Sequence, residues 1–381
     1  MGPLTETRPK PMLPVGDRPL VAHAADAAVD AGASELVVVV GYMADAVRTF
    51  FGEQHRGVPV TTTEQQSQRG TADAVRAARK HLDGPFAVLN GDTLQDPAAV
   101  AELFERGPGL VVARVEDATS YGVVSVTEGR VTGIVEKPTE PPSALANAGA
   151  YVFPAAARGW LDVPASERGE CELTDVVARA IEDGGFSAVH ATRWLDVGRP
   201  WDLLAANKWA LGDLEPAVHG EVAADATLRG PVVVEAGARV EPGTVVEGPA
   251  LLRSGARVGP NAHVRGSTLL GEDSRVGHAV EVKESVVMRE TKVPHLSYVG
   301  DSVLGANVNL GAGTTVANLR HDEQPVEVTI GGERVSTGRE KFGVVVGDGA
   351  KTGIDTSLNA GVVLGTGDHT APGECVLRSR Q

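Results

Sequence analysis

The sequence predicts an α/β domain followed by a parallel β-helix of hexapeptide repeats. Two observations carry that prediction. Over residues 217–376 an apolar residue returns every six positions, and before residue 210 short β-rich apolar runs alternate with alanine-rich stretches. A period of six belongs neither to a helix nor to an ordinary strand. A parallel β-helix makes it, because each six supplies one short flat strand and one corner.

The repeat is the sharper signal. Stepping by six from Val222 meets Leu228, Val234, Val240, Val246, Leu252, Val258, Val264, Leu270, Val276, Val282 and Met288, all apolar. In a chain that is 42 % hydrophobic, chance gives such a run in roughly three of a hundred thousand frames. The beat resumes at Leu304, Leu310 and Val316, and again at Val346, Leu358 and Leu364. The beat residue should point inward and stack on its equivalent one coil away. A Gly often follows it, as at Val258-Gly259 and Val276-Gly277, where a small residue permits the tight corner. Residues 317–343 break the beat with Arg320-His321-Asp322-Glu323 and a hairpin-like Thr329-Ile330-Gly331-Gly332-Glu333-Arg334-Val335. We read them as a loop inserted at one coil corner.

In the first domain, strands are expected at 35–40, 58–61, 86–89, 110–113 and 122–126, with helices at 20–31 and 71–81. Continuous apolar strands between helices imply a mostly parallel sheet covered on both faces. Ligands then sit outside the carboxyl ends of the strands, so the Asp92 of Leu89-Asn90-Gly91-Asp92 should project into that crevice. A helix over 199–210 closes the domain. The expected division is an α/β domain at 1–210, a linker at 211–218 and a β-helix at 219–381.

A chain of 381 residues with formal net charge −15 is a poor nucleic-acid partner. There is no run of 18 apolar residues and no basic-then-apolar leader, so neither a transmembrane helix nor a signal peptide is expected. The 2 Cys, Cys171 and Cys375, lie far apart; they argue against a disulfide framework and fit a reducing cytoplasm. Acidic residues number 50 against 35 basic ones, and Arg is much preferred to Lys. A high-salt cytoplasm favours such a surface; an ordinary acidic enzyme from a GC-rich genome is the alternative.

The repeat resembles the left-handed β-helix of hexapeptide acyltransferases. That likeness is specific for fold and less so for function, because some nucleotidylyltransferases carry such a helix for assembly or regulation.

The first domain resembles sugar-1-phosphate nucleotidylyltransferases through an ordered set of motifs. Thr5-Glu6-Thr7-Arg8-Pro9-Lys10-Pro11-Met12 looks like the phosphate-gripping segment, Gln68-Arg69-Gly70-Thr71-Ala72-Asp73 like the nucleobase loop, and Asn90-Gly91-Asp92 like the metal-Asp turn. Tyr121-Gly122-Val123, Glu136-Lys137-Pro138 and Asn147-Ala148-Gly149 resemble sugar contacts, and Glu172-Leu173-Thr174-Asp175 and Trp194-Leu195-Asp196 complete the order. In such a reaction a sugar phosphate attacks the α-phosphorus of a nucleoside triphosphate, so positioning and charge neutralisation dominate. The resemblance implies Arg8 and Lys10 on the triphosphate and Mg²⁺ between Asp92 and Asp196, since hard carboxylates suit a hard cation. Gln68 and the Gly70-Thr71 backbone would read a pyrimidine of UTP or dTTP. Gly122, Glu136 and Asn147 would hold the sugar. Alone, Asp92 reads equally well as a turn residue and Glu136 as a solvated strand end; the ordered set outweighs both readings.

One departure counts against this activity. The family pattern opens with a strand and a Gly-rich loop, G-x-G-T-R-[ML]-x-P-L-T, and here Met1 falls at its Met or Leu. Two explanations compete: the true start lies upstream of Met1, or the chain has lost nucleotidyl transfer. For the chain as it stands the expectation is a sheet without its central strand, leaving two unpaired edges, and weak or no nucleotidyl transfer.

The second domain resembles the acetyltransferase site of bifunctional enzymes of the glucosamine-1-phosphate acetyltransferase / N-acetylglucosamine-1-phosphate uridylyltransferase type. Val293-Pro294-His295-Leu296-Ser297-Tyr298 and Gly305-Ala306-Asn307-Val308-Asn309-Leu310-Gly311 carry the likeness, with Arg265, Lys283, Asn318 and Lys341 at matching positions. An amine must lose a proton before it attacks the acetyl-CoA thioester, and a His can take that proton at neutral pH. His295 is the candidate base and Tyr298 its helper. Arg265, Lys283 and Lys341 form a clamp for a sugar phosphate, and Asn309 and Asn318 bond the sugar. A lone His295 would read as a corner residue of a structural coil; its company argues otherwise. The resemblance further implies a homotrimer with acyl sites between neighbours. Two other readings stay open: a glucose-1-phosphate thymidylyl- or uridylyltransferase whose β-helix is inert, and a regulatory subunit that binds a sugar nucleotide.

Overall fold

The computed structural model describes residues 1–166 and 168–380. Its contacts separate two compact units, one of Leu20–Asp196 and one of Met1–Pro19 with the chain from Val197 onward. The sequence pattern changes near residue 210, but contacts divide the chain elsewhere, for a reason visible in the β-helix.

The Leu20–Asp196 unit is an α/β layer structure. Six strands pair in the order Phe86–Leu89, Leu145–Phe153, Gly109–Arg114, Ser187–His190, Arg130–Glu136, Gly122–Thr127. Helices α1 (Leu20–Asp30), α2 (Ala44–Phe51), α3 (Thr71–Ala77), α4 (Pro97–Arg106) and α5 (Leu173–Asp183) accompany the strands. The expected mostly parallel sheet is in fact mixed. Ser187–His190 runs parallel to Gly109–Arg114, but Leu145–Phe153 is antiparallel to its neighbours and Gly122–Thr127 forms a hairpin with Arg130–Glu136. The Glu128-Gly129 turn between that pair puts both residues at positive φ, a two-residue connection that only antiparallel strands accept.

The sheet is also divided. Leu36–Val40, Val58–Glu64 and Gln54–His55 form a separate three-stranded sheet. The strands Leu36–Val40 and Phe86–Leu89 both line a cavity of about 550 Å³, closed by Val21, Ala24 and Ala28 of α1 and by Ala74, Val75 and Ala78. Val37, Val38 and Val39 are therefore only half-buried, unusual for a valine run in a sheet with helices around it.

The second unit is the parallel β-helix. Its first wall stacks eight strands from Ala217–Val218 to Val363–Leu364, and its third wall eight from Thr227–Arg229 to Cys375–Val376. The second wall stacks five from Glu221–Val222 to Lys292–His295, then continues as single bridges through Asn309, Lys351 and His369. Beat residues such as Val234, Leu252, Val264 and Leu304 are fully buried in one continuous core. Each buried Val or Leu contributes roughly 1.5–3 kcal/mol.

The beat slips twice. Leu252 stacks on Leu270, but Leu270 stacks on Val287 and Val287 on Leu304, so the corners after Val282 and after Val299 are each one residue short. Val287, not Met288, faces the core. Met288 is buried on the outside, where its Sδ accepts from Arg8 Nη1 at 2.6 Å.

The outer face of the first wall explains the division of the chain. Leu251, Leu269, Val286, Val303 and Val345 point away from the core yet are at most 1 % exposed. Helix α6 (Pro200–Gly212) packs on the strands that carry Leu269, Val286 and Val303. Asn207 of α6 is fully buried: its Oδ1 accepts from Gly16 N at 2.9 Å, and its Nδ2 donates to the Pro14 and Leu203 carbonyls at 3.1 and 3.0 Å. The N-terminal segment is thereby sewn to the β-helix. The insertion at 317–343 contains the expected hairpin, Glu327–Ile330 with Glu333–Ser336, turning at Gly331-Gly332.

Candidate functional site

The β-helix assembles its side chains by register. In the third wall Arg265 stacks under Lys283, and Lys283 under Gly300; one position over, Glu281 stacks under Tyr298. Residues flanking an inward Val point outward, so Arg265, Lys283 and Tyr298 share one surface. Glu281 Oε1 accepts from Arg265 Nε at 2.7 Å. Asp301 accepts from Lys283 Nζ at 2.8 Å and from Asn318 Nδ2 at 2.6 Å, and Asn318 Nδ2 also lies 3.1 Å from the Tyr298 hydroxyl. Gly300 is what lets Tyr298 lie back over the coil: a Cβ there would fall 2.5 Å from the Tyr298 hydroxyl and 2.7 Å from Asn318 Nδ2. Lys341 bridges to Leu319, and Phe342 N donates to the Asn318 carbonyl at 2.9 Å, which puts Lys341 at the same end of the cluster.

Burial alone would lower the Lys283 ammonium; the hydrogen bond and charge of Asp301, 1 % exposed, more than reverse this and hold it above its ordinary range. Arg265 is likewise raised, first by its bond to Glu281. Both cations are thus fixed and fully charged, as a phosphate clamp needs. His295 lies at the corner between the second and third walls, exposed, directly above His278 and three residues before Tyr298. Asn309 is separated from that cluster: it lies on the second wall, between Lys292 and Lys351.

The α/β unit brings together a second set. Asp196 pairs opposite Thr93 in a short antiparallel ladder, next to Asp92, so two carboxylates over a hundred residues apart in sequence become neighbours. No group of three or more candidate metal ligands occurs among the described residues. A pair fits Mg²⁺, which usually takes one or two carboxylates and completes its shell with substrate phosphates and water. Asn90 N donates to the Gly149 carbonyl at 2.8 Å, joining the metal-Asp turn to the Asn147-Ala148-Gly149 segment. Glu136 pairs opposite Gly122, and a Cβ on Gly122 would fall 3.0 Å from Glu136 Oε2 and 3.6 Å from Asn147 Cβ. Gly122, Glu136 and Asn147 therefore converge. Burial raises the Glu136 carboxyl, and the nearby Glu172 charge adds to this against the pull of Arg168.

The nucleobase-loop motif is held by contacts that its sequence hides. Gly70, at φ +114, packs its Cα so close to Cys171 that a Cβ would lie 2.4 Å from the Cys171 carbonyl. The Thr71 hydroxyl accepts from Leu173 N at 2.9 Å, at the start of α5. Asp73, 7 % exposed, accepts from Gln65 Nε2 at 3.0 Å and pairs with Arg69 at 3.2 Å and with Arg76. Gln68 itself is exposed.

Arg8 and Lys10 belong to the β-helix unit. Arg8 forms an ion pair with Asp348, whose Oδ1 also accepts from Ala306 N at 2.8 Å. Desolvation lowers Arg8 from its usual range although Asp348 opposes this. Its guanidinium is engaged within that unit.

Sequence reading missed the supports: Asp301, Glu281, Asp73 and Glu172. Asp73 and Glu172 do stand inside the motifs above, and an acid with a basic residue three or four positions away, Arg69 and Arg76 for Asp73 and Arg168 for Glu172, is the signal that could have marked them.

A family model described as "Nucleotidyl transferase" matches residues 1–211, and one described as "GMPPB C-terminal domain" matches 246–365. The bifunctional protein GlmU of Methanocaldococcus jannaschii is 38 % identical over 367 residues, 96 % of this chain and 88 % of that protein. A bifunctional sugar-1-phosphate nucleotidylyltransferase/acetyltransferase of Sulfurisphaera tokodaii is 34 % identical over 384 residues, 99 % of this chain and 94 % of that one. Among solved structures, a putative glucose-1-phosphate thymidylyltransferase from Bacillus anthracis, in complex with a sucrose, is 26 % identical with TM-score 0.51, covering 57 % of this chain and 92 % of that chain.

Proposed function

This chain belongs to the family of GlmU-type bifunctional sugar-1-phosphate nucleotidylyltransferase/acetyltransferases, and on that premise we propose that it acetylates glucosamine-1-phosphate from acetyl-CoA and couples the product to UTP. One observation carries the acetyl-transfer half: Arg265, Lys283, Tyr298 and Asn318 share one surface, locked by Asp301 and Glu281, beside His295. A purely structural coil has no use for two fixed cations stacked on one wall, since like charges in a ladder repel.

In the proposed step Arg265, Lys283 and Lys341 take the sugar phosphate. His295 accepts a proton from the sugar ammonium, and the freed lone pair attacks the thioester carbonyl. The C–N bond forms and the C–S bond breaks; the leaving thiolate takes the proton held by the imidazolium, and the attacking nitrogen gives its second excess proton through His295 to solvent, leaving the neutral amide. Tyr298 and Asn318 fix the sugar, with Asn309 approaching from the second wall. The exposed Leu296 next to His295, 63 % accessible, supports a site covered by a neighbouring copy of a homotrimer. The acidic, lysine-poor composition supports a high-salt cytoplasmic setting.

For nucleotidyl transfer, Asp92 and Asp196 would hold Mg²⁺, which neutralises charge on the reacting phosphates. Gly122, Glu136 and Asn147 would position the sugar phosphate, and Gln68 with the Gly70-Thr71 backbone the pyrimidine. The divided sheet and the engagement of Arg8 by Asp348 support this as the weaker activity.

The test is acetyl-CoA-dependent thiol release with glucosamine-1-phosphate, at high salt, for the wild type and His295→Ala. Turnover falling by about 10²–10⁴-fold is expected. Turnover that survives the substitution would reject His295 as base, and none from the folded wild type would reject the acetyltransferase. Pyrophosphate release from UTP and dTTP with N-acetylglucosamine-1-phosphate measures the other half.

A further inference from the structure

Residues 217–381 carry two aromatic side chains, Tyr298 and Phe342. Tyr298 belongs to the acetyl-transfer surface. Phe342, next to Lys341, is wholly buried yet stands outside the coil core. It closes the insertion. Its N donates to the Asn318 carbonyl at 2.9 Å, and Gly343 N donates to the Asp301 carbonyl at 2.9 Å. The chain rejoins the coil through a gap with no room for a side chain: a Cβ on Gly343 would fall 2.2 Å from the Gly300 carbonyl. Both ends of the 317–343 insertion, and with them Asn318 and Lys341, are therefore placed by where Phe342 sits.

The ring of Phe342 meets that of Trp201, in the first turn of α6, with centroids 6.0 Å apart and planes at 78°. Aromatic pairs favour this T-shaped contact. Trp201 is itself buried and held. Pro200 occupies the first helical position, Asp202 Oδ2 accepts from Arg199 N at 2.7 Å, and the Arg199 guanidinium lies 5.4 Å from the Trp201 ring centroid. Farther along, Asn207 bonds the same helix to Gly16 and Pro14. At the other end Lys208 Nζ lies 3.9 Å from Glu284 Oε1, next to Lys283, but Lys208 is exposed and that contact is loose. The spacing matches: seven residues of helix rise about 10.5 Å, and the corners of Glu284 and Phe342 are two coils apart, about 10 Å. Helix α6 thus backs the coils that carry the clamp, and Trp201 is its firm contact.

Resting on the acetyl-transfer reading, we propose that Trp201 is a positioning residue for the sugar-phosphate clamp: its ring seats Phe342, and Phe342 holds Asn318 and Lys341 in place beside Lys283 and Tyr298. Trp201 touches no substrate and takes no part in the proton transfer. Arg265 and Lys283 are fixed separately, by Glu281 and Asp301. Loss of the Trp201 ring therefore loosens the insertion side of the clamp and leaves the wall side standing.

The experiment follows acetyl transfer from acetyl-CoA to glucosamine-1-phosphate. Trp201→Leu keeps the place apolar and removes the ring. The KM for glucosamine-1-phosphate should rise by about tenfold, with the KM for acetyl-CoA within about twofold of wild type. Trp201→Phe, which keeps a ring edge, should recover most of the loss. Phe342→Leu breaks the same pair from the other side; it should give the same pattern and is read in its place if Trp201→Leu does not fold. Adding Trp201→Leu to Lys341→Met should raise the KM by less than about threefold, because effects passed through one another do not add. Amide exchange at Phe342 and Gly343 should quicken by about tenfold or more in Trp201→Leu, with Val299 still protected. An unchanged KM for glucosamine-1-phosphate overturns the proposal. So does an equal rise for both substrates, full multiplication of the two single effects, or exchange no faster than in wild type. Wild-type protein without turnover would fail the acetyltransferase reading, and the exchange rates would still decide whether Trp201 seats Phe342.

Discussion

The two units build their sites in different ways. In the β-helix, position follows from register: Arg265, Lys283 and Gly300 occupy one place in successive coils because Val264, Val282 and Val299 fill the core beneath them. In the α/β unit the sheet is in two pieces around a cavity, and position follows from single polar contacts, such as Asp73 on the nucleobase loop and Gln95 Nε2 on the Ala148 carbonyl at 2.8 Å. A register-built site should tolerate loss of a surface contact and fail when coil spacing is disturbed. A contact-built site should behave in the opposite way.

The largest expected effect attacks register. Gly300→Ala puts a methyl within 2.5 Å of the Tyr298 hydroxyl, and a shift of about 1 Å can cost 10²-fold in rate. We expect acetyl transfer to fall by about 10–10²-fold while pyrophosphate release is unchanged; an equal loss of both would dissolve the distinction between the units.

The next pair makes one substitution in each unit. Leu304 is wholly buried in the coil core, whereas Leu89 is half-buried and lines the cavity. Leu304→Ala should cost about 3–5 kcal/mol and Leu89→Ala about 1–2 kcal/mol, read by denaturant unfolding of each unit. Equal costs would mean that the cavity does not loosen the α/β unit.

Asp96 sharpens the contrast from the other side. It caps α4, accepting from Ala98 N at 3.1 Å, and its Oδ2 accepts from Thr192 N and Oγ1 at 2.9 and 2.7 Å. Burial would raise its carboxyl, but these bonds win and hold it below the ordinary range. A carboxyl lowered by folding stabilises the protein above its unfolded pKa and loses that contribution as pH falls through its folded value. Asp96→Ala should therefore cost about 2 kcal/mol at pH 7, with the gap to wild type closing below about pH 4.

The smallest effect carries the reverse sign. Folding raises Glu136, so its ionisation opposes folding as pH rises past the unfolded value near 4.3. Glu136→Gln should raise the α/β midpoint slightly at pH 7, by less than about 1 kcal/mol, and leave it unchanged at pH 3.5. Destabilisation at pH 7 would show that Glu136 has a structural partner.

What was legible in the sequence follows the same contrast. A six-residue beat leaves a mark on every coil, so the β-helix and its insertion could be read directly, whereas Arg265 and Lys283 were picked out by resemblance and their stacking belongs to the structure. The slip at Val287 could not, because one short corner leaves both Val287 and Met288 apolar. In the α/β unit the motifs stood in order, and their convergence on Gly122, Glu136 and Asn147 is what the sheet delivers. The mixed sheet was hidden, because buried antiparallel strands read as continuously apolar too. Asp301 was hidden because its partners, Lys283 and Asn318, stand 17 or more residues away in sequence, whereas the partners of Asp73, Gln65, Arg69 and Arg76, are local and only its burial was not legible.

The stitching of Met1–Pro19 to the β-helix has a consequence for the growing chain. Arg8 waits for Asp348 and the Pro14 carbonyl waits for Asn207, so this segment is made long before the residues that hold it. At roughly 5–20 residues per second, Arg8 stays unclaimed for about 20–70 seconds while the α/β unit, encoded between the two halves of the β-helix unit, emerges. Translation order and assembly order thus differ for this segment. A chaperone-depleted extract should reveal it as protease cleavage within Met1–Pro19 that disappears only once the coil carrying Asp348 is complete.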